Sequence, residues 1–431
     1  MALGTQPNST TISSTDTSRN YGGPLAMVTT LFFMWGFLTC LNDILVPHLK
    51  SIFDLNYAEV MLIQFCFFSA YFVFSIPSGK IIEHIGYQKM MVAGLVTMGL
   101  GAVLFIPAAS APSFPLFLAA LIILAAGITA LQVSANPYVA VLGPARTASS
   151  RLNLTQAFNS LGTTVAPFFG GLLILGAAIP KTQDELRALS PAALHAYRLQ
   201  EASSVKLPYL IIALALVVLA IVIGKFNLPH IPEAEGGHAV ANDSVWRHPN
   251  LVLGTLGIFA YVGAEVAIGS FLVNYMNLPD IGNLKADVAA KYLTFYWGGA
   301  MIGRFIGSAV LQKVPTRIVL GCNALVAACL VCLSMLSFGH LAMWALLLVG
   351  FFNSIMFPSI FTLGIEGLGP LTGEASGLLI MAIVGGAIIP EVQGVLADRV
   401  GLHHAFILPV ICYLYILFFA MKGQPRKRTV A

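Results

Sequence analysis

The sequence predicts an all-α membrane protein: twelve transmembrane helices in two six-helix halves, with both termini cytoplasmic. Three observations carry this. The chain is 58% hydrophobic and only 9% charged, with a mean hydropathy of +0.85, whereas a soluble domain carries about 25% charged residues. Apolar runs of roughly 20 residues, the length that crosses a bilayer core, recur twelve times. A polar stretch then divides these runs six and six, and short motifs repeat in the two sets.

In order, the first six runs cover 24–47, 58–79, 90–108, 115–141, 152–174 and 207–224. The second six cover 251–276, 291–311, 318–338, 341–365, 375–396 and 403–421. Residues 1–23 are rich in Ser, Thr and Asn and lack the basic and apolar regions of a signal peptide, so they read as a disordered cytoplasmic tail. Residues 175–206 form a polar insertion whose core, ELRALSPAALHAYRL, has the composition of a short surface helix. Residues 225–250 are rich in Pro, Gly and charge and read as the cytoplasmic linker between halves 24–224 and 251–421. A basic tail, 422–431, closes the chain.

Orientation follows from the 22 Lys and Arg. With the N-terminus inside, thirteen fall on the inner side and eight on the outer, and Arg304 lies within a span. The internal repeat strengthens the division. Leu142-Gly143-Pro144 precedes span five and Leu368-Gly369-Pro370 precedes span eleven. Span four carries Asn136-Pro137-Tyr138, and span ten carries Phe357-Pro358. A proline within a helix frees a backbone carbonyl, which in lipid is tolerable only at a cavity or a packed interface. Matched breaks in two halves are the pattern of a transporter with its site between them; the plainer reading is kinks that serve packing.

The stretch LFFMWGFLTCLNDILVPHL, residues 31–49, holds Asn42 and Asp43 before a helix-ending Pro47. A carboxylate within a span costs about 2.5–3.5 kcal/mol on insertion scales and marks a functional position; the alternative is an acid snorkelling to the interface. Asp43 shares a helix face with Thr39 and with Trp35 or Gly36. That face offers an acid, a hydroxyl and an aromatic plane. A hexose needs just such groups, since its hydroxyls both donate and accept and its C–H face is weakly apolar.

Span four places Thr129, Gln132 and Asn136 on one face, and span five does the same with Gln156, Asn159 and Thr163. Two polar stripes in an apolar half point to a shared water-filled cavity. The competing reading is amides cross-linking helices for about 0.6 kcal/mol apiece. The second half offers Tyr261 and Glu265 on span seven, Trp297, Met301 and Arg304 on span eight, and Asn353, Phe357 and Phe361 on span ten. Glu391 and Gln393 lie in the outer third of span eleven. Glu265, near mid-span, needs a partner, and Arg304 is a candidate. Arg304 reads equally as part of a cytoplasmic-side gate beside Gly303 and Gly307. Trp35, Tyr261, Trp297 and Phe357 are candidate stacking aromatics, each of which also reads as packing.

The loop Gly79-Lys80-Ile81-Ile82-Glu83-His84-Ile85-Gly86-Tyr87-Gln88-Lys89 is similar to a degenerate form of a loop of the major facilitator superfamily. The stretches WGFLTCLNDILVP, QVSANPYVAVLGP, RLNLTQAFNSLG and YVGAEVAIGSFLVNY resemble the fucose:proton symporter family of that superfamily, in particular its glucose/galactose permease branch. The resemblance runs from about Leu31 to the end. It implies the major facilitator fold, a central sugar cavity, alternating access, and sugar uptake coupled to a cation. Asp43 matches the family's first-helix aspartate, and Asn42, Asn153, Gln156 and Asn159 match polar positions of the same motifs. Fucose-specific members carry a Glu in the fourth-helix motif where this chain has Gln132. The resemblance therefore implies that span four supplies no carboxylate for proton coupling here, although Gln132 can still bond sugar hydroxyls.

The expected function is secondary active import of a monosaccharide, a hexose such as glucose or galactose, or fucose, by symport with a proton or, failing that, sodium. Asp43 and Glu265 are the candidate cation-coupling acids. The expected site comprises Trp35, Asn42, Asp43, Gln132, Asn136, Asn153, Gln156, Asn159, Tyr261, Glu265, Asn353 and Phe357. The alternatives are an uncoupled sugar facilitator and a membrane sugar sensor, and the lack of a sizeable cytoplasmic domain disfavours the sensor. The expected partners are the sugar, the cation and the lipid bilayer of the inner (plasma) membrane, with the chain acting as a monomer. No basic patch interleaved with aromatics suggests nucleic acid. Hydrolase, phosphate-loop and zinc-enzyme motifs are lacking, so no enzyme, cofactor or metal is expected. All six cysteines fall inside apolar runs, which argues against disulfides and zinc.

Overall fold

The structure, a computed structural model, describes residues 21–53, 57–110, 113–170, 189–203, 206–229 and 244–422. Within its helices the side chains of 41–53, 57–62, 64, 168–170, 195, 198, 201–203 and 286–287 lie outside the described set. Every regular element described is helical. An N-terminal group contains α1 (Gly22–Phe53), α2 (Tyr57–Ser110), α3 (Phe114–Val141), α4 (Ala148–Gly170), α5 (Pro191–Ser203) and α6 (Lys206–Lys225). A C-terminal group contains α7 (Pro249–Met276), α8 (Ala286–Val310), α9 (Thr316–Leu336), α10 (Gly339–Asn353), α11 (Met356–Ile365), α12 (Thr372–Met381), α13 (Gly385–Val400), α14 (Leu402–Ala405) and α15 (Ile407–Lys422).

Among the described residues nine segments are long and apolar enough to cross a membrane, and one of them, Phe65–Ser110, has 46 residues. At a rise of about 1.5 Å per residue that segment is long enough for two crossings. It bends at Gly86, whose φ of 79° and ψ of 168° are not helical. The expected loop from Gly79 to Lys89 is therefore helical up to that glycine, which supplies the turn at no Cβ cost. The helices α4 and α8 are not among the nine. Their sequences are diluted by Ser, Thr, Asn and Gln in α4 and by Gly, Lys and Arg in α8. These two polar helices pack on each other.

One further expectation is corrected. The helix α1 does not end at Pro47 but runs on to Phe53; a proline costs its helix one N–H, the bond that would reach the carbonyl of Asp43, and bends the helix without always stopping it. Cys329 and Cys332 stand three positions apart on α9, with two residues between them, the spacing of a redox or metal pair, and both are free thiols. Of the surface helix expected in the polar insertion, the part from Pro191 on is present as α5, with Ser190 Oγ accepting from Ala193 N at 3.3 Å, and residues 171–188 lie outside the described set. Residues 230–243 of the linker lie outside the described set.

The groups meet along α2–α12 and α4–α8, with α3–α12 and α4–α11 beside them. Small residues make this contact close. A Cβ on Gly79 would lie 2.7 Å from the Gly373 carbonyl oxygen, and one on Gly377 would lie 2.7 Å from that of Ser75. Hydroxyls close the α4–α8 seam. Ser150 Oγ donates to the Ser308 carbonyl at 2.7 Å, and Ser308 Oγ donates to the Ser150 carbonyl at 3.1 Å. Ser149 Oγ lies 2.6 Å from Thr362 Oγ1 and accepts from Thr316 Oγ1 at 2.9 Å. All these residues lie at the helix ends that adjoin the Gly79–Lys89 segment and the loops before α4, α9 and α12.

Candidate functional site

The two matched prolines set up the site. Pro137, inside α3, leaves the Val133 carbonyl without its helical donor. Ser376 Oγ of α12 donates to that carbonyl at 2.8 Å, across the two helix groups. Pro358, in α11, likewise leaves the Ser354 carbonyl free, and Arg304 Nε donates to it at 3.3 Å. Both freed carbonyls are thus taken by side chains of other helices. The helix interruption itself falls at Ser354 and Ile355, between α10 and α11.

From α3 a line of amides runs inward. Gln132 Nε2 donates to Tyr71 Oη of α2 at 2.6 Å. Asn136 Nδ2 donates to the Gln132 carbonyl at 2.9 Å, and its Oδ1 accepts from Gln156 Nε2 of α4 at 3.3 Å. Gln132 is 2% exposed and Asn136 is fully buried. The Oε1 of Gln132 is buried without a hydrogen-bond partner. Leaving such an acceptor unpaired costs about 1–3 kcal/mol, which a ligand hydroxyl would recover. Thr129, the third member of the stripe, bonds back to the Ala125 carbonyl of its own helix.

On the facing side Asn159 Nδ2 donates to the Phe32 carbonyl of α1 at 2.9 Å. Trp35 is buried, its ring 5.1 Å from that of Phe32. Thr39 Oγ1 bonds back to the Trp35 and Gly36 carbonyls. Asn42 and Asp43 lie on the next turn of α1, and their side chains are outside the described set.

A second cluster surrounds Glu265 on α7. Tyr261 Oη donates to Glu265 Oε1 at 2.8 Å, one turn away. Arg304 Nη2 of α8 lies 4.0 Å from the same oxygen, at the outer limit of an ion pair. Arg304 Nη1 also donates to Ser160 Oγ and, at 3.4 Å, to the Gln156 carbonyl, both on α4. In return Asn153 Nδ2 of α4 donates to the Arg304 carbonyl at 2.7 Å. Arg304 therefore lies beside Glu265 and at the contact between the two helix groups.

Asn353 is fully buried between two tyrosines. Its Nδ2 donates to Tyr296 Oη at 2.9 Å, and its Oδ1 accepts from Tyr413 Oη at 2.8 Å. Tyr296 Oη passes on to the Glu265 carbonyl at 3.2 Å. Phe357 is 8% exposed and stacks with Phe361, ring centroids 6.0 Å apart. Of the candidate aromatics Trp297 alone is exposed, at 44%. Gln393 is buried with both amide atoms unpaired, whereas Glu391 is exposed.

The structure thus brings Gln132, Asn136 and Gln156 into one chain, and Tyr261, Glu265 and Arg304 into another. The Gln156 carbonyl links them. Phe357 joins neither by a hydrogen bond, and Asn353 reaches Glu265 only through Tyr296. Sequence reasoning missed Tyr71, Ser160, Tyr296, Ser376 and Tyr413. Ser160 follows Gln156 by one turn and had a spacing signal; the tyrosines sit in aromatic runs that carry none. A cavity of about 320 Å³ lies where the groups meet, lined by Ser149, Thr316, Thr362, Glu366 and Thr372 among others. It lies one to two turns of α4 away from Asn153 and Gln156, toward the closed seam.

Truncating the amide chain has a calculable cost. Gln132→Ala and Gln156→Ala are each expected to weaken binding of a hexose by about 1–2 kcal/mol per lost buried hydrogen bond. Calorimetry on the detergent-solubilised protein measures this, and wild-type affinity for every hexose in both variants would break the shared-cavity reading.

Residues 26–390 match the model of the Major Facilitator Superfamily. A glucose/galactose transporter of Brucella abortus is 50% identical over 98% of this chain and 100% of its own length. The L-fucose-proton symporter of Escherichia coli is 37% identical, over 94% of this chain and 93% of its own. Among solved structures, a major facilitator transporter, FucP, in the outward conformation superposes with a TM-score of 0.89 at 36% identity, covering 94% of this chain and 100% of that one. The chain is therefore a multi-pass membrane transporter rather than an enzyme: it belongs to the Major Facilitator Superfamily and, within it, to the fucose:proton symporter family.

Proposed function

We propose that the protein imports a monosaccharide by symport with a proton, through alternating access between two six-helix halves, residues 24–224 and 251–421. The observation that carries the sugar reading is the buried amide chain Gln132–Asn136–Gln156, which ends in an unpaired acceptor. Amides that both donate and accept suit a ring of hydroxyls, and a dry carbonyl oxygen without a donor suits one of them. The names of the similar proteins, glucose/galactose transporter and L-fucose-proton symporter, agree with this class of substrate and with a proton as the coupling ion.

Twelve crossings follow when α4 and α8 are added to the apolar segments and α2 is counted as two. Both termini then lie on the side richer in Lys and Arg, the cytoplasm, and the bilayer is the inner membrane. Trp35, Asn42, Asp43, Asn153 and Asn159 on one side, and Tyr261, Glu265, Asn353 and Phe357 on the other, make up the site and its supports. Asp43 and Glu265 are its coupling acids. The closed α4–α8 and α2–α12 seams lie at the cytoplasmic end, so the site opens outward.

Purified protein in proteoliposomes tests this with glucose, galactose and fucose under an imposed pH gradient, then a sodium gradient. Accumulation above equilibrium under the pH gradient is the expected result. Equilibration without accumulation would leave an uncoupled facilitator, and no uptake of any monosaccharide would remove the sugar reading.

A further inference from the structure

Arg304 is gripped twice by the opposite helix group. Its guanidinium donates to Ser160 Oγ and the Gln156 carbonyl, and its own carbonyl accepts from Asn153. Those three partners lie on α4 and would leave together if α4 and α8 parted. Its remaining partners travel with it. They are the Ser354 carbonyl freed by Pro358 and the Glu265 carboxylate, both in the C-terminal group. At 4.0 Å the contact with Glu265 is slack in this closed arrangement. Among the described residues Glu265 is the acid within ion-pair reach of Arg304. A guanidinium within a membrane cannot be left without a counter-charge or a full set of acceptors.

We propose that Arg304 is a positioning residue that ties the closure of the α4–α8 seam to the charge of Glu265. With the seam shut, α4 supplies the acceptors and Glu265 is held loosely. With the seam open, Arg304 keeps only Ser354 and Glu265 among its partners in the described residues, so opening requires Glu265 ionised and drawn onto the guanidinium. The Tyr413–Asn353–Tyr296 chain, which ends on the Glu265 carbonyl, fixes the backbone from which that carboxylate reaches. The step is a change of partners, and no bond is made or broken. It rests on the transport reading for its consequence, but its first test does not need a substrate.

Ser150 and Ser308 face each other across the seam, their Oγ atoms 3.4 Å apart. Ser150→Cys with Ser308→Cys, in a chain with the six native cysteines replaced, gives a pair whose copper-catalysed disulfide reports closure. Arg304→Ala is expected to slow this cross-linking on the order of tenfold, and Arg304→Lys to recover most of it. Glu265→Gln is expected to cross-link at least as fast as its parent while sugar exchange across vesicles falls on the order of tenfold or more. Removing both charges, Arg304→Ala with Glu265→Gln, should exchange sugar faster than Glu265→Gln alone. A merely structural Arg304 would make the double variant the worst of the three. Parent-like cross-linking in Arg304→Ala, or parent-like exchange in Glu265→Gln, overturns the proposal. If the parent binds none of the three sugars, the transport reading fails, while the cross-linking rates still judge the latch.

Discussion

Asp43→Asn is expected to abolish sugar accumulation driven by a pH gradient while leaving the protein inserted and folded. The argument begins with what the other acids are doing. Span four offers Gln132 where fucose-specific relatives are expected to have a Glu, so no carboxylate is available there. Glu265 accepts from Tyr261 at 2.8 Å and has Arg304 at 4.0 Å, so its carboxylate is already engaged by groups of the C-terminal helices. Glu391 is exposed, away from both polar chains. Asp43 sits two turns beyond Trp35, on the helix α1 that packs on Asn159. The carbonyl of Asp43 also lies opposite Pro47, which cannot donate to it.

Asparagine keeps the shape and a hydrogen-bonding oxygen but cannot carry the proton, so binding should survive and coupling should not. Uptake against pH makes the test sharper. Asp43→Glu should move the midpoint of the profile, whereas Glu265→Gln and Glu391→Gln should change its height. Undiminished accumulation in Asp43→Asn would take this residue out of the mechanism, and a sodium-dependent, pH-flat wild type would do the same.

What the sequence showed and what it hid divide along a physical line. A proline in an apolar run declares that a carbonyl is free, so Pro137 and Pro358 could be read as interface breaks without coordinates. Who takes the carbonyl is a matter of tertiary packing. Ser376 and Arg304 lie 243 and 50 positions away in the chain from Val133 and Ser354, and no local pattern points to them. The stripe Gln132–Asn136 was legible from its spacing and the cost of amides in lipid, but Tyr71, which holds one end of Gln132, is one aromatic among many. Asn353 shows the opposite limit. Its residue type suggested contact with substrate, yet two tyrosine hydroxyls occupy its amide, and the distinction between a ligand and a brace is invisible in composition. The expected Gly79–Lys89 loop shrinks to a break at Gly86 for a related reason: polar residues between apolar runs signal exposure, not the loss of helix.

The α1–α4 contact carries the other large expected effect. Gly36 on α1 faces the Asn159 carbonyl, and Gly162 on α4 faces the Phe33 carbonyl, so each helix rests on the backbone of the other. A Cβ on Gly36 would overlap the Asn159 carbonyl oxygen and lie 2.8 Å from its carbon. One on Gly162 would overlap the Phe33 oxygen and lie 2.8 Å from the Phe37 nitrogen. These obstacles are backbone atoms, which cannot rotate away as a side chain can, so the helices themselves must separate. Close approach through small residues is how helices associate in a bilayer, where no hydrophobic force acts between them. Overpacking of this kind typically costs about 1–3 kcal/mol per methyl-sized insertion, and both positions sit beside the bond from Asn159 to the Phe32 carbonyl. Gly36→Ala and Gly162→Ala are each expected to lower the thermal midpoint in detergent and to weaken sugar binding together, with Gly36→Leu failing to accumulate as folded protein. Gly298, on α8, has nothing within 4 Å of where its Cβ would stand. Gly298→Ala should therefore melt at or above the wild-type temperature, because alanine is the better helix former by about 1 kcal/mol. If Gly36→Ala and Gly298→Ala melt alike, the two helices do not lie backbone to backbone, and the placement of Trp35 and Asn159 beside each other goes with it.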